Sequence, residues 1–497
     1  MGRYIWIRLL KSLLSIAIVV SIVVVLVYKL VPTSKVFEGD EAFRKLKANA
    51  KVLYTYNRLE TLGYCDYLTS GEMLAAELGE KAHSLKPSDE EYQRVLQVFR
   101  DRGYTIEELT YNDKLQGTHV AYRFYNSFEL IGHFFAKLFQ VDTPNAIQDP
   151  NWPEGLQRGY RFEKDHNGIY ALTCAGCKHK YQLYFDKHFP FIHQNFIHIY
   201  FGESYPSQQG VNTLEVIGSS QGKKVKIEQT FPSGQVLKSP INQHSRKYKF
   251  TRDHLDEKKY GDDPYADTTN MQEAPSMIFT SYRIGLLSIL FAYLFAIPMG
   301  IWMAKRKGKL IDKIGIIYIN FILALPSLAL IFFFKVIGYR FNLPDKFPQL
   351  GFHDIRSYIL PVMLLAIMST PGLMMWLRRY MVDQETSDYV KFARAKGLSN
   401  REIYNRHIFK NAVIPIVNGI PGSIILAISG AVITESMFAV PGMGKMLPDA
   451  IKAANNNMVI TLSFIFTALS ILSVFLGDLL MTVVDPRISL TVKEGLE

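Results

Sequence analysis

The stretch "DYVKFARAKGLSNREIYNRHIFKNAVIPIV", Asp388–Val417, is basic and polar, yet it sits between two long apolar runs. Thr386, Ser387 and Asp388 supply an N-cap and a first-turn acid, Tyr389, Phe392 and Ala393 share one face by spacing, and Gly397 suits a left-handed helix stop. Ser399 and Glu402 then carry the Ser-x-x-Glu spacing of a capping box, which starts a second helix running toward Pro415. Two short capped helices at an angle, with small residues Ala393, Ala395 and Gly397 at the bend and basic groups around them, form a knob suited to a partner's groove. A solvated basic loop is the plainer reading of the same residues.

The flanks place this knob in a membrane protein. The chain of 497 residues exceeds one ordinary domain, and its apolar residues concentrate near the N-terminus and beyond about residue 280. A helix crosses a bilayer with about 20 mainly apolar residues. Ser12–Val31 meets that length with Lys29 as its one charge, and it lacks a small-x-small cleavage site after it, so it reads as a retained anchor. Ser281–Ala304, Ile314–Gly338, Tyr358–Leu377, Val413–Glu435 and Val459–Val484 raise the expectation to six spans.

Lys305, Arg306, Lys307, Lys309 and Lys313 follow the second span, and Arg378, Arg379, Lys391, Arg394, Lys396, Arg401, Arg406 and Lys410 follow the fourth. The opposite loops carry fewer cations, so the positive-inside bias puts these loops and both termini in the cytoplasm of a cell membrane. The net charge of +11 is then a basic cytoplasmic face and needs no nucleic acid.

That orientation leaves the segment from 33 to 279 outside the cell, long enough for an inserted α+β domain. "SDEEYQRVLQVFRDRG" predicts a helix capped by Ser88 and stopped by Gly103, and Asn126–Gln140 predicts another. "YRFEKDHNGIYALT" and "KKVKIEQTFPSGQVLK" predict hairpins, and "TRDHLDEKKYGDDPYADTTNMQEAPS" a linker back to the membrane. Neither an internal repeat nor a low-complexity tract stands out. Cys65, Cys174 and Cys177 all fall in this domain. "CAGCKH" fits a structural turn or disulfide, with zinc and redox readings left open, although no second ligand pair at recognisable spacing accompanies it. No residue is assigned as a metal ligand, and no catalytic constellation emerges.

"ARAKGL", Ala393–Leu398, followed by "RHIFKNAVIP", Arg406–Pro415, resembles the cytoplasmic loop of permease subunits in binding-protein-dependent ABC importers, in the variant of the oligopeptide and dipeptide branch. The generic form of that loop has Glu-Ala-Ala where this chain has Lys391, Phe392 and Ala393, and its proline lies closer to the glycine; the departure matches the peptide branch. "LPVMLLAIMSTPGLMMWLRRYM", "ITESMFAVPGMGKMLPDAI" and "DPRISL", Asp485–Leu490, add further resemblances in the same order along the chain.

The resemblance implies an all-α polytopic fold of the type I importer permease kind, divided as 1–32, 33–279 and 280–497, with a coupling loop at 381–412. It implies a second homologous permease sharing the pore, two cytoplasmic ABC ATPases, and a lipid-anchored binding protein outside that delivers an oligopeptide. The coupling residues it points to are Tyr389, Lys391, Phe392, Ala393, Arg394, Ala395, Lys396, Gly397, Leu398, Glu402 and Arg406. The chain carries no Gly-x-x-x-x-Gly-Lys-Ser/Thr phosphate loop, so ATP and magnesium are expected in the partners and no cofactor in this chain.

A metal chelate is the alternative cargo, and a membrane-anchored sensor working through the outer domain is the alternative class. Pro298, Pro326, Pro361, Pro371 and Pro421 lie in or near the apolar helices as bends or hinges. Asp478, the clearest acid in a span, calls for a structural partner near the cytoplasmic side, and Glu435 reads as interfacial.

Overall fold

The computed structural model describes residues 2–79, 85–111, 115–148, 152, 155–164, 168, 170–185, 191–231, 234–244, 267–427 and 431–484. "DPRISL", most of the linker from Thr251 and the turn residues at 165–167 and 232–233 of the two expected hairpins lie outside the described residues, as does the part of the fifth expected span at 428–430.

Among the described residues, four helices are long and apolar enough to cross a membrane: Trp6–Leu30, Met277–Lys305, Arg356–Glu385 and Asn456–Met481. The chain is thus a polytopic membrane protein. The other two expected spans are not single straight helices. Ile314–Gly338 is broken into Leu310–Ala324 and Ser327–Arg340, whose axes differ by 107°. Pro326 disfavours helical geometry at the preceding residue, and both Leu325 and Pro326 are extended, with ψ of 129° and 134°. The fifth apolar run forms the helix Ile414–Leu426, bent by 47° from the helical stretch before it. Pro415 in its first turn lacks the N–H that would carry the preceding helix onward. Pro298, Pro361, Pro371 and Pro421 instead lie inside helices.

The helices pack through small residues. A Cβ on Gly300 would sit 3.2 Å from Leu377 Cβ, and one on Gly285 would sit 2.8 Å from Ala427 Cβ, so these backbones approach where only small side chains fit. Two ion pairs brace one end of the bundle. Arg8 contacts Asp478, joining the first and last spans, which is the partner the sequence calls for. Arg378, at the end of the fourth span, holds Asp312 with two hydrogen bonds of 2.5 and 2.7 Å. Asp312 is buried, and the Gly308 N–H donates to the same carboxylate.

Between the first and second spans the chain forms helices and antiparallel sheets. Cys65–Thr69, His119–Phe124 and Thr105–Glu108 make a three-stranded sheet with the second strand central. The helices Ser70–Leu78 and Glu90–Asp101 cover it through Met73, Leu74, Tyr92, Val95, Leu96 and Phe99. Gly159–Lys164, Tyr170–Ala175, Tyr181–Phe185 and Ile192–Gln194 form a four-stranded meander. Both expected hairpins are strand pairs, the second being Ile227–Thr230 with Val236–Ser239.

Two helix boundaries differ from expectation. Asp89, not Ser88, takes the N-cap position of Glu90–Asp101, and its carboxylate accepts from the Lys86 N–H. The helix expected over Asn126–Gln140 is Ser127–Leu138, because Phe139–Val141 pair with Ile197–Ile199 instead.

Polar contacts join this domain to the spans. Tyr28 donates to the Leu62 carbonyl and to Asn457 Oδ1, at 2.7 and 2.9 Å, and Lys29 donates to the Tyr125 carbonyl. Asn455 donates to Ser204, Asn456 to Tyr64 and Asn457 to the Glu203 carbonyl. Cys174 and Cys177 form a disulfide, and Cys65 is a buried free thiol.

Removing one partner of a buried ion pair leaves an uncompensated charge, at a cost of about 3–5 kcal/mol. Arg378→Ala is therefore expected to lower the melting temperature of the purified chain clearly, with Arg378→Lys in between. Equal melting of wild type and Arg378→Ala would mean that the Asp312 pair contributes nothing.

Candidate functional site

The basic stretch folds as a capped hairpin. Its first helix is Asp388–Ala395, with Ser387 at the N-cap. The Ser387 hydroxyl does not cap the helix; it donates to the Gln384 carbonyl at 2.6 Å. Asp388 opens the helix and pairs with Lys391 at 2.9 Å, which holds its carboxyl below the usual carboxylate range. Gly397 ends the helix at φ +78°, and the Leu398 N–H reaches back to the Ala393 carbonyl. A residue with a Cβ is strained there.

Ser399 and Glu402 form the expected capping box: Ser399 Oγ accepts from the Glu402 N–H, and Glu402 Oε2 accepts from the Ser399 N–H at 3.1 Å. The second helix then departs from a plain α-helix. Asn400–Glu402 leads into a π-helical segment, Ile403–Ile408, before Phe409–Ala412 resumes the α form. Such π segments often mark functional sites.

One face of the hairpin is buried. Val390, Ala393, Ile403, Ile408 and Ala412 pack with Ala304, Leu377 and Met381, the ends of the second and fourth spans. Polar bonds surround this contact. Glu385 accepts from Tyr404 at 2.8 Å and pairs with Arg394, Tyr389 donates to Gln384 at 2.7 Å, and Lys305 donates to Asn405 at 2.9 Å. The hairpin therefore rests on the ends of two spans at once.

The expected site residues divide between two faces. Lys391, Phe392, Arg394, Ala395, Lys396, Gly397, Leu398 and Arg406 are exposed, and Tyr389 and Glu402 are half-buried. Ala393 is buried and serves as packing. Tyr389, Phe392 and Ala393 do not share one buried face: Val390 takes the inner position and Phe392 points outward, 61% exposed, with Lys396 Nζ 4.6 Å from its ring centroid. Glu385 and Tyr404 escaped the sequence reading, and Lys305 was read there only as a loop cation, because nothing in their local pattern marks contacts made across the hairpin.

A second polar node lies at the other end of the bundle. Glu435 is buried, not interfacial. It accepts from Ser281 Oγ at 2.7 Å and from the Lys445 N–H at 3.0 Å, and Ser281 in turn accepts from the Met443 N–H at 2.7 Å. This carboxylate ties "PGMGK" to the second span, and a cavity of about 260 Å³ beside it is lined by Ser288, Ser369 and Ser423 among others.

Residues 296–490 match the family model described as binding-protein-dependent transport system inner membrane component. Over 509 aligned positions covering 100% of both chains, the sequence is 42% identical to the oligopeptide transport system permease protein AmiC of Streptococcus pneumoniae serotype 4. It is 28% identical to the dipeptide transport system permease protein DppB of Lactococcus lactis subsp. cremoris, over 42% of this chain and 69% of the relative. To the oligopeptide transport system permease protein AppB of Bacillus subtilis it is 30% identical, over 41% of this chain and 67% of the relative.

A left-handed residue other than glycine costs about 1–2 kcal/mol. Gly397→Val is expected to speed amide exchange in Asp388–Leu398 severalfold while the spans keep their protection. Unchanged exchange in that segment would show that the turn does not hold the hairpin.

Proposed function

The chain belongs to the family of binding-protein-dependent transport system inner membrane components, in its oligopeptide permease branch, and from that premise we propose that it forms half of the pore of an ATP-driven oligopeptide importer. A family of this kind works with a partner permease, ATPase subunits and a binding protein. In this reading a second permease completes the pore, two ATPases dock on the loop at 381–412, and a lipid-anchored binding protein delivers peptide from outside. ATP and magnesium are used by the ATPases.

Each bent helix pair counts as one span, which gives six, with both termini and the hairpin in the cytoplasm. The segments 1–32, 33–279 and 280–497 act as anchor, external domain and permease core. A membrane-anchored sensor would not require so many apolar helices, and the 42% identity to AmiC covers the whole chain, external domain included.

The observation that carries the reading is the two-sided hairpin. Phe392, Lys396 and Leu398 offer an apolar and cationic surface, and Val390 and Ala393 on the reverse rest on Leu377 and Met381. ATP-driven closure of the ATPases would push on the outer side, and the inner side would pass that push to the second and fourth spans. The pore then alternates between outward and inward access.

Two substitutions separate the faces. Phe392→Ala removes an exposed ring, so it is expected to leave melting unchanged while peptide uptake in cells falls at least tenfold. Ala393→Asp buries a charge in the contact with the spans and is expected to abolish uptake with the chain still present in the membrane. Wild-type uptake by a stably expressed Phe392→Ala chain would remove the hairpin from the coupling path.

A further inference from the structure

Glu435 ends the fifth apolar run. An acid at such a place faces the bundle interior or a water-filled path, because lipid leaves its charge unsolvated. Its partners here are all neutral. Oε1 accepts from Ser281 Oγ at 2.7 Å and from the Ala431 N–H at 3.3 Å, and Oε2 accepts from the Lys445 N–H at 3.0 Å. Arg283 and Lys335, the cations that reach this end of the bundle, are engaged elsewhere: Arg283 donates to Tyr358 Oη at 3.3 Å and Lys335 to the Met437 carbonyl at 2.6 Å. Neutral hydrogen bonds solvate the carboxylate without cancelling its charge.

Glu435 and Ser281 close one end of the cavity of about 260 Å³. Three helices bound it: Met277–Lys305 through Ser281 and Ser288, Arg356–Glu385 through Ser369, and Ile414–Leu426 through Ser423. At 1.5 Å per residue, Ser288 lies about 10 Å further along its helix than Ser281. Ser369 stands near the middle of a 30-residue helix. Polar groups therefore continue from the level of Glu435 toward the middle of the spans.

Each of these three serines donates its hydroxyl proton to its own helix. Ser288 donates to the Gly285 carbonyl at 2.7 Å, Ser369 to Leu365 at 2.9 Å and Ser423 to Gly419 at 3.1 Å. A hydroxyl so engaged keeps its lone pairs, so toward a ligand it can only accept. Among the described residues no lysine, arginine or histidine lines the cavity. Its wall thus combines one negative charge with neutral acceptors on an otherwise mainly apolar surface. The amino end of a peptide matches that wall, since an ammonium group is followed by main-chain N–H donors whatever the side chains are.

We infer, on the importer reading above, that this cavity is the stretch of the translocation path that receives the amino end of the peptide. Glu435 attracts the ammonium group, and Ser288, Ser369 and Ser423 accept from main-chain N–H groups. Attraction through space does not require Glu435 to release Ser281 or the Lys445 N–H, so the carboxylate keeps its structural bonds while it selects.

The test places cysteine at Ser369, at Ser423 and, for comparison, at Ile22, an exposed position on the first span, in the full chain within the assembled importer in native membranes. The natural thiols give little background, because Cys174 and Cys177 are disulfide-bonded and Cys65 is buried. Thiosulfonate reagents of similar size, one carrying a trimethylammonium group and one a sulfonate, are supplied to both faces of the membrane, and the labelling rate is followed by mass spectrometry. Ser369→Cys and Ser423→Cys are expected to label at least tenfold faster than Ile22→Cys, and several-fold faster with the cationic reagent than with the anionic one. An imported peptide with a free amino end is expected to slow this labelling, and its N-acetylated counterpart to slow it less. Adding Glu435→Gln is expected to erase the preference for the cation while both thiols stay reachable. Labelling at both serine positions no faster than at Ile22→Cys, equal rates with the two reagents, or equal slowing by the free and acetylated peptides overturns the inference. Any of these results in membranes that still import peptide leaves the hairpin reading standing, whereas wild-type uptake by Phe392→Ala strikes that reading and leaves these rates unchanged.

Discussion

The hairpin end of the bundle depends on one apolar contact, Val390 and Ala393 against Leu377, Met381 and Ala304. The helix Asp388–Ala395 has eight residues, too few to hold its shape alone in water. It borrows that shape from the ends of two spans, and its caps at Gly397 and Ser399 fix the angle at which the next helix leaves. Packed side chains in such a contact shift between discrete arrangements rather than deform smoothly, because interiors are close-packed. The hairpin is thus a short element seated on two spans, with Phe392 on its outward side.

At the opposite end the joints are polar. Asn455, Asn456 and Asn457 hold Ser204, Tyr64 and the Glu203 carbonyl, and Tyr28 links the first span to the last. Buried hydrogen bonds are directional, and leaving one unmade costs more than making it gains, so this seam fixes a single register between the domain and the spans. Glu435 does similar work nearby by joining Ser281 to the Lys445 N–H. The molecule thus combines a hairpin held by packing with a domain held to the spans by hydrogen bonds.

Local signals were legible in the sequence. Apolar length gave the four long helices, Ser399 and Glu402 gave the capping box, and Gly397 gave the left-handed stop. Features that rest on long-range geometry were not. Pro326 read as a kink within one span, whereas two consecutive extended residues turn the chain by 107°. Phe392 and Val390 compete for the inner face of a helix too short for periodicity to decide, and packing on Leu377 chose Val390. The π-helical turn at Ile403–Ile408 has no sequence signature of its own. Asp312 with Arg378 are 66 residues apart, and His179 meets a carboxylate 37 residues earlier, so only the fold reveals either pair.

The most direct test of the account is photo-crosslinking in native membranes from a reactive residue placed at Phe392, with one at Lys445 as the comparison, and mass spectrometry of the adducts. The account predicts that position 392 captures a protein with an ATP-binding phosphate loop and that position 445 does not. Capture of the same ATPase from both positions, or of none from position 392 in cells that import peptide, would contradict it.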